Sequence, residues 1–264
     1  MQSIESEGHV SLELSRLHYF RYGTGKKVLL LFHGFGQDHS AFDSSLNYIL
    51  DRYTVYSFDL FYHGKSDRSD SLMKPQEWID IIQLFLQKEE IKRFDIGAYS
   101  LGGRFALQVL KNFPDRIGSV ILMAPDGFYH SPYYKAAVNL RWVFKFLMFH
   151  PTAFDTFLSF AAKRNLINKS LIKFSERELR DRENRVRVYR TWTYFKRLYL
   201  SKKELTQSLD IEDISINFYL GSQDYIIPPK EVLKTIGPLK NINIQILEKR
   251  HHEVIEEAFS RHFQ

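Results

Sequence analysis

The sequence has no cysteine among its 264 residues. This absence excludes disulfide bonds, thiolate metal sites and a cysteine nucleophile. It fits a compartment in which thiols stay reduced, so we expect a cytoplasmic location. The first ten residues lack the apolar stretch of a signal peptide, and no apolar run approaches the ~18 residues that a membrane-spanning helix needs. We therefore expect neither a signal peptide nor a membrane span.

A hydrophobic content of 44% and a charged content of 26% are ordinary for a soluble globular protein. The length is sufficient for one domain with an insertion. A formal net charge of +6 makes nucleic-acid binding a candidate function. The excess charge is confined to one block of the chain, described below, and we expect no nucleic-acid partner.

Short apolar runs alternate with helical stretches along most of the chain. This alternation predicts an α/β fold, in which a mostly parallel central sheet is flanked by helices on both faces. Residues 9–23 alternate apolar and polar side chains and predict an opening pair of strands. Further strands are predicted at 27–32, 54–59, 94–99, 119–124, 216–221 and 241–247, and helices at 75–90, 104–113, 229–237 and from about 253.

The alternation stops between 130 and 207, where helical segments replace the strands. This block holds 17 Lys or Arg against 6 Asp or Glu, and 15 of the 40 aromatic residues of the chain. We predict that 1–129 and 208–264 form the core and that 130–207 is an inserted helical cap. Its aromatic residues are interpreted mainly as cap core and its charges as a solvated face.

A candidate nucleophile lies in the segment AYSLGG, residues 98–103. Ser100 follows a predicted strand and precedes a helix, and a serine nucleophile needs such a sharp strand-to-helix turn. Small residues two positions away relieve crowding there: Gly102 is one, and Ala98 replaces the usual glycine. The helix N-terminus directs amides at developing negative charge. The alternative is that Ser100 only caps the helix.

Three further segments follow predicted strands, at the strand ends where ligands bind in open α/β sheets. The glycine turn HGFGQ can provide the backbone N–H of Phe35, and Leu101 can provide a second one, at a shared oxyanion position. The alternative is a tight turn in which His33 is a structural partner. Asp224 fits the acid that orients a catalytic histidine, or a turn-forming aspartate. His251 and His252 follow the last predicted strand.

The strings HGFGQ, DLFYHGKS, AYSLGG, GSQDYIIP and RHHEVI occur in the order and spacing of the α/β-hydrolase superfamily. The chain resembles this superfamily over nearly its whole length outside 130–207. The resemblance implies that Ser100 is the nucleophile, Asp224 the triad acid, and Phe35 and Leu101 the oxyanion amides. It implies no metal or organic cofactor, and a structural role for the loop that begins at Asp59.

The sequence leaves two assignments open, the triad histidine and the triad acid. The family histidine is His251 or His252, and we favour His251 because of the apolar pair that follows it. The triad acid is Asp224 or Asp126, which follows the strand 119–124, and we favour Asp224 because its segment matches more residues.

The resemblance implies cleavage of a carboxylic ester, with an aromatic cap that suits lipid-like or hydrophobic acyl groups. Thioester hydrolysis, acyl transfer, carbon–carbon bond hydrolysis and non-catalytic ligand reception are alternatives on the same scaffold. The expected partner is a small-molecule or lipid-like ester. A transient contact of the basic cap with an anionic membrane surface is a further hypothesis.

Overall fold

The computed structural model describes residues 4–164, 166, 167, 172, 179, 181–237, 239 and 241–263. The predicted block 130–207 therefore includes positions outside the described residues, namely 165, 168–171, 173–178 and 180.

The described strands form one nine-stranded sheet in the order β1-β2-β4-β3-β6-β7-β8-β9, with β5 paired to β2. The pairs of β2 with β1, β4 and β5 are antiparallel, and all other pairs are parallel. The strands are β1 (Ser6–Leu12), β2 (Ser15–Tyr22), β3 (Lys27–Phe32), β4 (Tyr53–Phe58), β5 (Asp67–Arg68), β6 (Phe94–Tyr99), β7 (Ile117–Met123), β8 (Ser215–Gly221) and β9 (Ile242–Leu247).

The described α-helices flank this sheet or form a separate helical block. They are α1 (Pro75–Lys88), α2 (Gly102–Asn112), α3 (Pro132–Asn139), α4 (Arg141–Phe149), α5 (Pro151–Lys163), α6 (Arg182–Tyr194), α7 (Lys202–Leu209), α8 (Pro229–Ile236) and α9 (Val254–Phe263). Short 3₁₀ segments occur at His39–Tyr48, Pro114–Arg116, Lys196–Leu198 and His251–Glu253.

Both faces of the central strand β3 are covered, which explains its continuous apolar sequence. Successive side chains of a strand point to opposite faces. Leu29 and Leu31 belong to the buried cluster that contains Phe259 of α9. Phe32 instead contacts Trp78 of α1, with ring centroids 5.7 Å apart. The predicted α/β class, a mostly parallel sheet between helices, is confirmed.

The chain divides into two compact units. The first comprises Met1–Ser69, Lys74–Tyr129 and Leu198–Gln264 and contains the sheet. The second comprises Asp70–Met73 and His130–Arg197, and its described residues form helices and connecting segments.

The segment after Arg197 belongs to the first unit because it is attached to α2. The side-chain amide of Gln108 donates to the carbonyl of Leu198 at 2.9 Å, and Lys111 forms a salt bridge with Glu204 at 2.7 Å. That the helical unit serves as a cap stays a prediction. Among the described residues, no helix has the length and apolarity that crossing a membrane requires.

Candidate active site

Ser100 lies in a strained turn between β6 and α2. Its φ of +48° places a non-glycine residue in the left-handed region, which L-residues rarely adopt. The turn is fixed by three backbone hydrogen bonds: Ser100 N–H donates to Met123, and its carbonyl accepts from Gly103 and Asp126. The backbone thus holds the serine at the carboxyl end of β6, as the sequence predicted.

The chain beside this turn leaves no space for a larger residue at 102. A Cβ atom added to Gly102 would lie 2.1 Å from the backbone oxygen of Phe32 on the neighbouring strand β3. Ala98, two residues before Ser100, is fully buried. The requirement for a small residue at position 102 therefore has a steric origin.

A chain of two hydrogen bonds joins Ser100, His251 and Asp224. The Ser100 Oγ lies 2.9 Å from Nε2 of His251, and Nδ1 of His251 lies 2.6 Å from Oδ2 of Asp224. A carboxylate only accepts hydrogen bonds, so Nδ1 carries the proton and Nε2 presents its lone pair to the serine hydroxyl. This tautomer lets the imidazole accept the proton of Ser100.

The turn after β8 fixes the position of Asp224. Its Oδ1 atom accepts hydrogen bonds from the backbone N–H groups of Ile226 and Ile227, both at 2.9 Å. The other carboxylate oxygen, Oδ2, accepts the hydrogen bond from His251. The residue is only 5% exposed, so the pair lies in surroundings that strengthen a hydrogen bond.

The turn after β9 fixes His251. The 3₁₀ segment His251–Glu253 is capped by Glu253, whose carboxylate accepts from the backbone N–H of Arg250 at 2.8 Å. The hydroxyl of Tyr99 donates to the backbone carbonyl of His251 at 3.1 Å. Tyr99 is therefore a positioning residue that was not predicted from the sequence; its place directly before Ser100 was the available signal.

His252 and Asp126, the alternative candidates for the triad histidine and the triad acid, have different surroundings. His252 is exposed, whereas His251 is 8% exposed and bonded to both Ser100 and Asp224. Asp126 forms a salt bridge with the buried Arg104 at 2.5 Å. The geometry therefore favours His251 and Asp224.

Two backbone N–H groups that follow strand ends are candidates for the oxyanion hole. Phe35 follows β3 and Leu101 directly follows Ser100, and neither N–H donates a hydrogen bond to another described residue. The turn containing Phe35 is held by the N–H of Gly34, which donates to the side chain of Gln37 at 3.0 Å. These free donors fit the predicted oxyanion pair.

The hydrogen bonds of His33 indicate a structural role. Its Nε2 accepts from the backbone N–H of Leu60 at 2.9 Å, and its Nδ1 donates to the carbonyl of Gly34 at 2.6 Å. Complete burial lowers the pKa of His33 to about 4, which keeps the ring neutral. A neutral ring is the form that both hydrogen bonds require.

The loop that begins at Asp59 is held by this buried carboxylate. Asp59 accepts from the backbone N–H and the Nδ1 of His39 and from the backbone N–H of Lys65. Burial alone would raise the pKa of Asp59, but these hydrogen bonds outweigh it and lower the pKa. A Cβ atom on Gly64 would lie 2.1 Å from the same carboxylate, so the loop needs glycine there.

One group of side chains in the described part of the chain has metal-ligand chemistry. Asp38, His39 and Asp59 place ligand atoms within 4.8 Å of one another. The imidazole Nδ1 of His39 is already hydrogen-bonded to Asp59 at 2.9 Å, so the group is internally satisfied. We assign it no metal.

Comparison with known proteins identifies the relatives of this chain. A family model of the alpha/beta hydrolase fold matches residues 27–237. An uncharacterized hydrolase of Bacillus subtilis, YugF, is 20% identical over 270 residues, which cover 97% of this chain and 95% of that protein. Naproxen esterase (carboxylesterase NP) from Bacillus subtilis matches with a TM-score of 0.68 and 15% identity, covering 100% of this chain and 93% of the esterase.

A third relative is similar over a shorter segment. The dihydrolipoyllysine-residue acetyltransferase component of the acetoin cleaving system of Cupriavidus necator is 32% identical over 113 residues, which are 43% of this chain and 30% of that protein. The chain spans between 24% and 32% of the length of several curated relatives that it matches. Such partial matches do not carry over the activity of the whole relative.

Proposed function

Because this chain belongs to the alpha/beta hydrolase fold family, we propose that it is a serine hydrolase that cleaves carboxylic esters. The observation that carries the proposal is the pair of hydrogen bonds that links Ser100 through His251 to Asp224. Each member has the role that its contacts allow: Ser100 is the nucleophile, His251 the base, and Asp224 the acid that orients the imidazole.

The proposed reaction has two half-reactions. In the first, Ser100 Oγ attacks the ester carbonyl while His251 Nε2 takes its proton, and the carbonyl electrons move onto an oxyanion held by the N–H groups of Phe35 and Leu101. The intermediate collapses, His251 gives its proton to the leaving alcohol, and an acyl-serine remains. In the second, water attacks the acyl-serine with His251 again as base, which releases the acid and restores Ser100.

The substrate proposal is a hydrophobic or lipid-like acyl ester. The aromatic residues concentrated in 130–207 support an apolar acyl group, and the esterase named among the structural relatives supports an ester bond. Acyl transfer is a second candidate, because one relative is named as an acetyltransferase component. The two differ in whether water or an alcohol accepts the acyl group from Ser100.

The test is hydrolysis of p-nitrophenyl esters of increasing acyl length. We expect Ser100→Ala to lower kcat by about four orders of magnitude or more, because the nucleophile is removed. The matched control is Ser222→Ala, an exposed serine beside Asp224, which should leave kcat unchanged. Equal rates for wild type and Ser100→Ala would refute the nucleophile.

The same assay tests whether water or an alcohol accepts the acyl group from Ser100. Adding a small alcohol partitions the acyl-enzyme between water and the alcohol. Hydrolysis that dominates over ester exchange supports the hydrolase, whereas predominant transfer to the alcohol supports the acyltransferase.

A further inference from the structure

Two consecutive helices of the second unit, α4 and α5, expose large apolar side chains. On α4, Trp142, Phe146 and Phe149 recur at the spacing of one helical face and are 72%, 53% and 38% exposed. Exposed patches of this kind mark sites of interaction with a protein or a membrane. We define the α4–α5 surface by its exposed members: Leu140, Trp142, Val143, Phe146, Phe149, Phe157 and Phe160.

The charge around this surface has one dominant sign. Between 130 and 164 the sequence contains five Lys or Arg and a single acidic residue, Asp155. None of these cations forms a salt bridge with a described residue. Three of them lie over aromatic rings of α4 or α5: Arg141 over Trp142 at 4.9 Å, Lys145 over Phe149 at 5.9 Å and Arg164 over Phe160 at 5.3 Å.

Cations interleaved with aromatic rings match the chemistry of a bilayer interface. The rings enter the boundary between headgroups and acyl chains, while the long Lys and Arg side chains reach anionic headgroups. Trp is particularly suited to this depth because its ring is amphipathic. The arrangement of cation and ring along α4 and α5 therefore fits an anionic lipid surface.

An apolar cavity of about 250 Å³ within the second unit supports a lipid partner. Its lining is almost entirely apolar and includes Phe144, Leu147 and Trp192. Leu140, Val143 and Phe157 line the cavity and also belong to the exposed surface. An alkyl chain can occupy such a cavity without burying a polar group, which a polar protein loop cannot do.

We propose that the α4–α5 surface docks on an anionic lipid bilayer. The attraction has two parts, burial of the aromatic side chains and electrostatic contact of Arg141, Lys145, Lys163 and Arg164 with the headgroups. The proposal does not depend on the chemistry of Ser100, so docking and ester cleavage succeed or fail separately.

The tryptophans provide a direct measurement. The chain has three, of which Trp78 is fully buried, Trp192 is partly buried and Trp142 is 72% exposed. Vesicles of phosphatidylcholine and phosphatidylglycerol in equal parts should shift the fluorescence of the full chain to shorter wavelength at low salt. The shift should disappear in Trp142→Phe, while co-sedimentation with the vesicles persists.

Charge variants test the electrostatic part. Arg141→Glu with Lys145→Glu should weaken partitioning onto these vesicles by at least about 25-fold, since each cation near such a surface contributes about fivefold. The matched control is Lys230→Glu with Lys234→Glu, which makes the same change at the same spacing on α8. This control should bind as the wild type does, and Phe146→Ser should weaken binding by about tenfold.

Three results would overturn the proposal. The first is no binding to the anionic vesicles at low salt, where electrostatic attraction is strongest. The second is equal binding to vesicles of phosphatidylcholine alone. The third is self-association of the chain that Phe146→Ser abolishes, without vesicle binding, because it would assign the surface to a second copy. Hydrolysis of a soluble ester, measured on the same samples, reports the proposed function independently.

Discussion

Replacing Asp224 with asparagine tests the role of the acid with little change of shape. In the wild type, Oδ1 accepts from the backbone N–H groups of Ile226 and Ile227, and Oδ2 accepts from Nδ1 of His251. In the asparagine variant the single oxygen stays with the two backbone donors, so the NH₂ group faces His251. That group donates, so Nδ1 must accept and the ring proton moves to Nε2.

The expected magnitude follows from this tautomer. An imidazole protonated at Nε2 cannot take the proton of Ser100, and the Asp→Asn change in a Ser-His-Asp triad lowers kcat by about four orders of magnitude. This loss corresponds to about 5 kcal/mol of transition-state stabilisation. The backbone hydrogen bonds of the Asp224 turn are retained, so we expect the melting temperature to change by no more than about 2–4 °C.

The assay is p-nitrophenyl ester hydrolysis with melting curves on the same samples, and Asp126→Asn is the matched variant. Asp126 pairs with Arg104, which is 3% exposed. Neutralising Asp126 removes the counter-charge of the buried Arg104, which should lower the free energy of unfolding by about 2 kcal/mol with kcat of the folded enzyme nearly unchanged. Loss of turnover in Asp126→Asn together with wild-type turnover in Asp224→Asn would show that Asp224 is not the triad acid.

Three further predictions concern neighbouring residues. His251→Ala should lower kcat by about four orders of magnitude, whereas His252→Ala, at an exposed position, should stay within about twofold of wild type; steady-state kinetics compares them. Gly102→Ala should lower the free energy of unfolding by about 2 kcal/mol or more in urea, because its Cβ meets the Phe32 backbone; unchanged stability would contradict the crowding. Burial lowers the pKa of His33 from 6.5 to about 4. The neutral buried ring therefore stabilises the fold fully above pH 6.5, and the free energy of unfolding should fall by roughly 3 kcal/mol as the pH falls to 4. Urea unfolding across this pH range should show this decrease in wild type and not in His33→Gln.

The buried strands could be predicted from sequence because their pattern is local. The predicted strands 27–32 and 94–99 coincide with β3 and β6, since a strand covered on both faces is a continuous apolar run. The 3₁₀ segment His39–Tyr48 and the strand β5 were not predicted. The first lacks a clear apolar period, and the second has only two residues, so their conformations depend on contacts with distant parts of the chain.

The choice within the candidate site could not be made from sequence alone. His251 and His252 are the same residue type in adjacent positions, and the direction of each depends on where β9 ends and the 3₁₀ turn begins. Asp224 and Asp126 both follow a parallel strand, and only the tertiary structure brings one to His251 and the other to Arg104. The position of each residue in the sequence shows which strand it follows, whereas the direction of its side chain depends on the tertiary structure.

The most direct measurement is covalent labelling with a fluorophosphonate probe, followed by mass spectrometry of the digested protein. The central claim is that His251 activates Ser100, which lies 2.9 Å from its Nε2. We expect one adduct, on Ser100, and no labelling of Ser100→Ala. A wild-type protein that stays unlabelled, or an adduct on another serine that persists in Ser100→Ala, would contradict it.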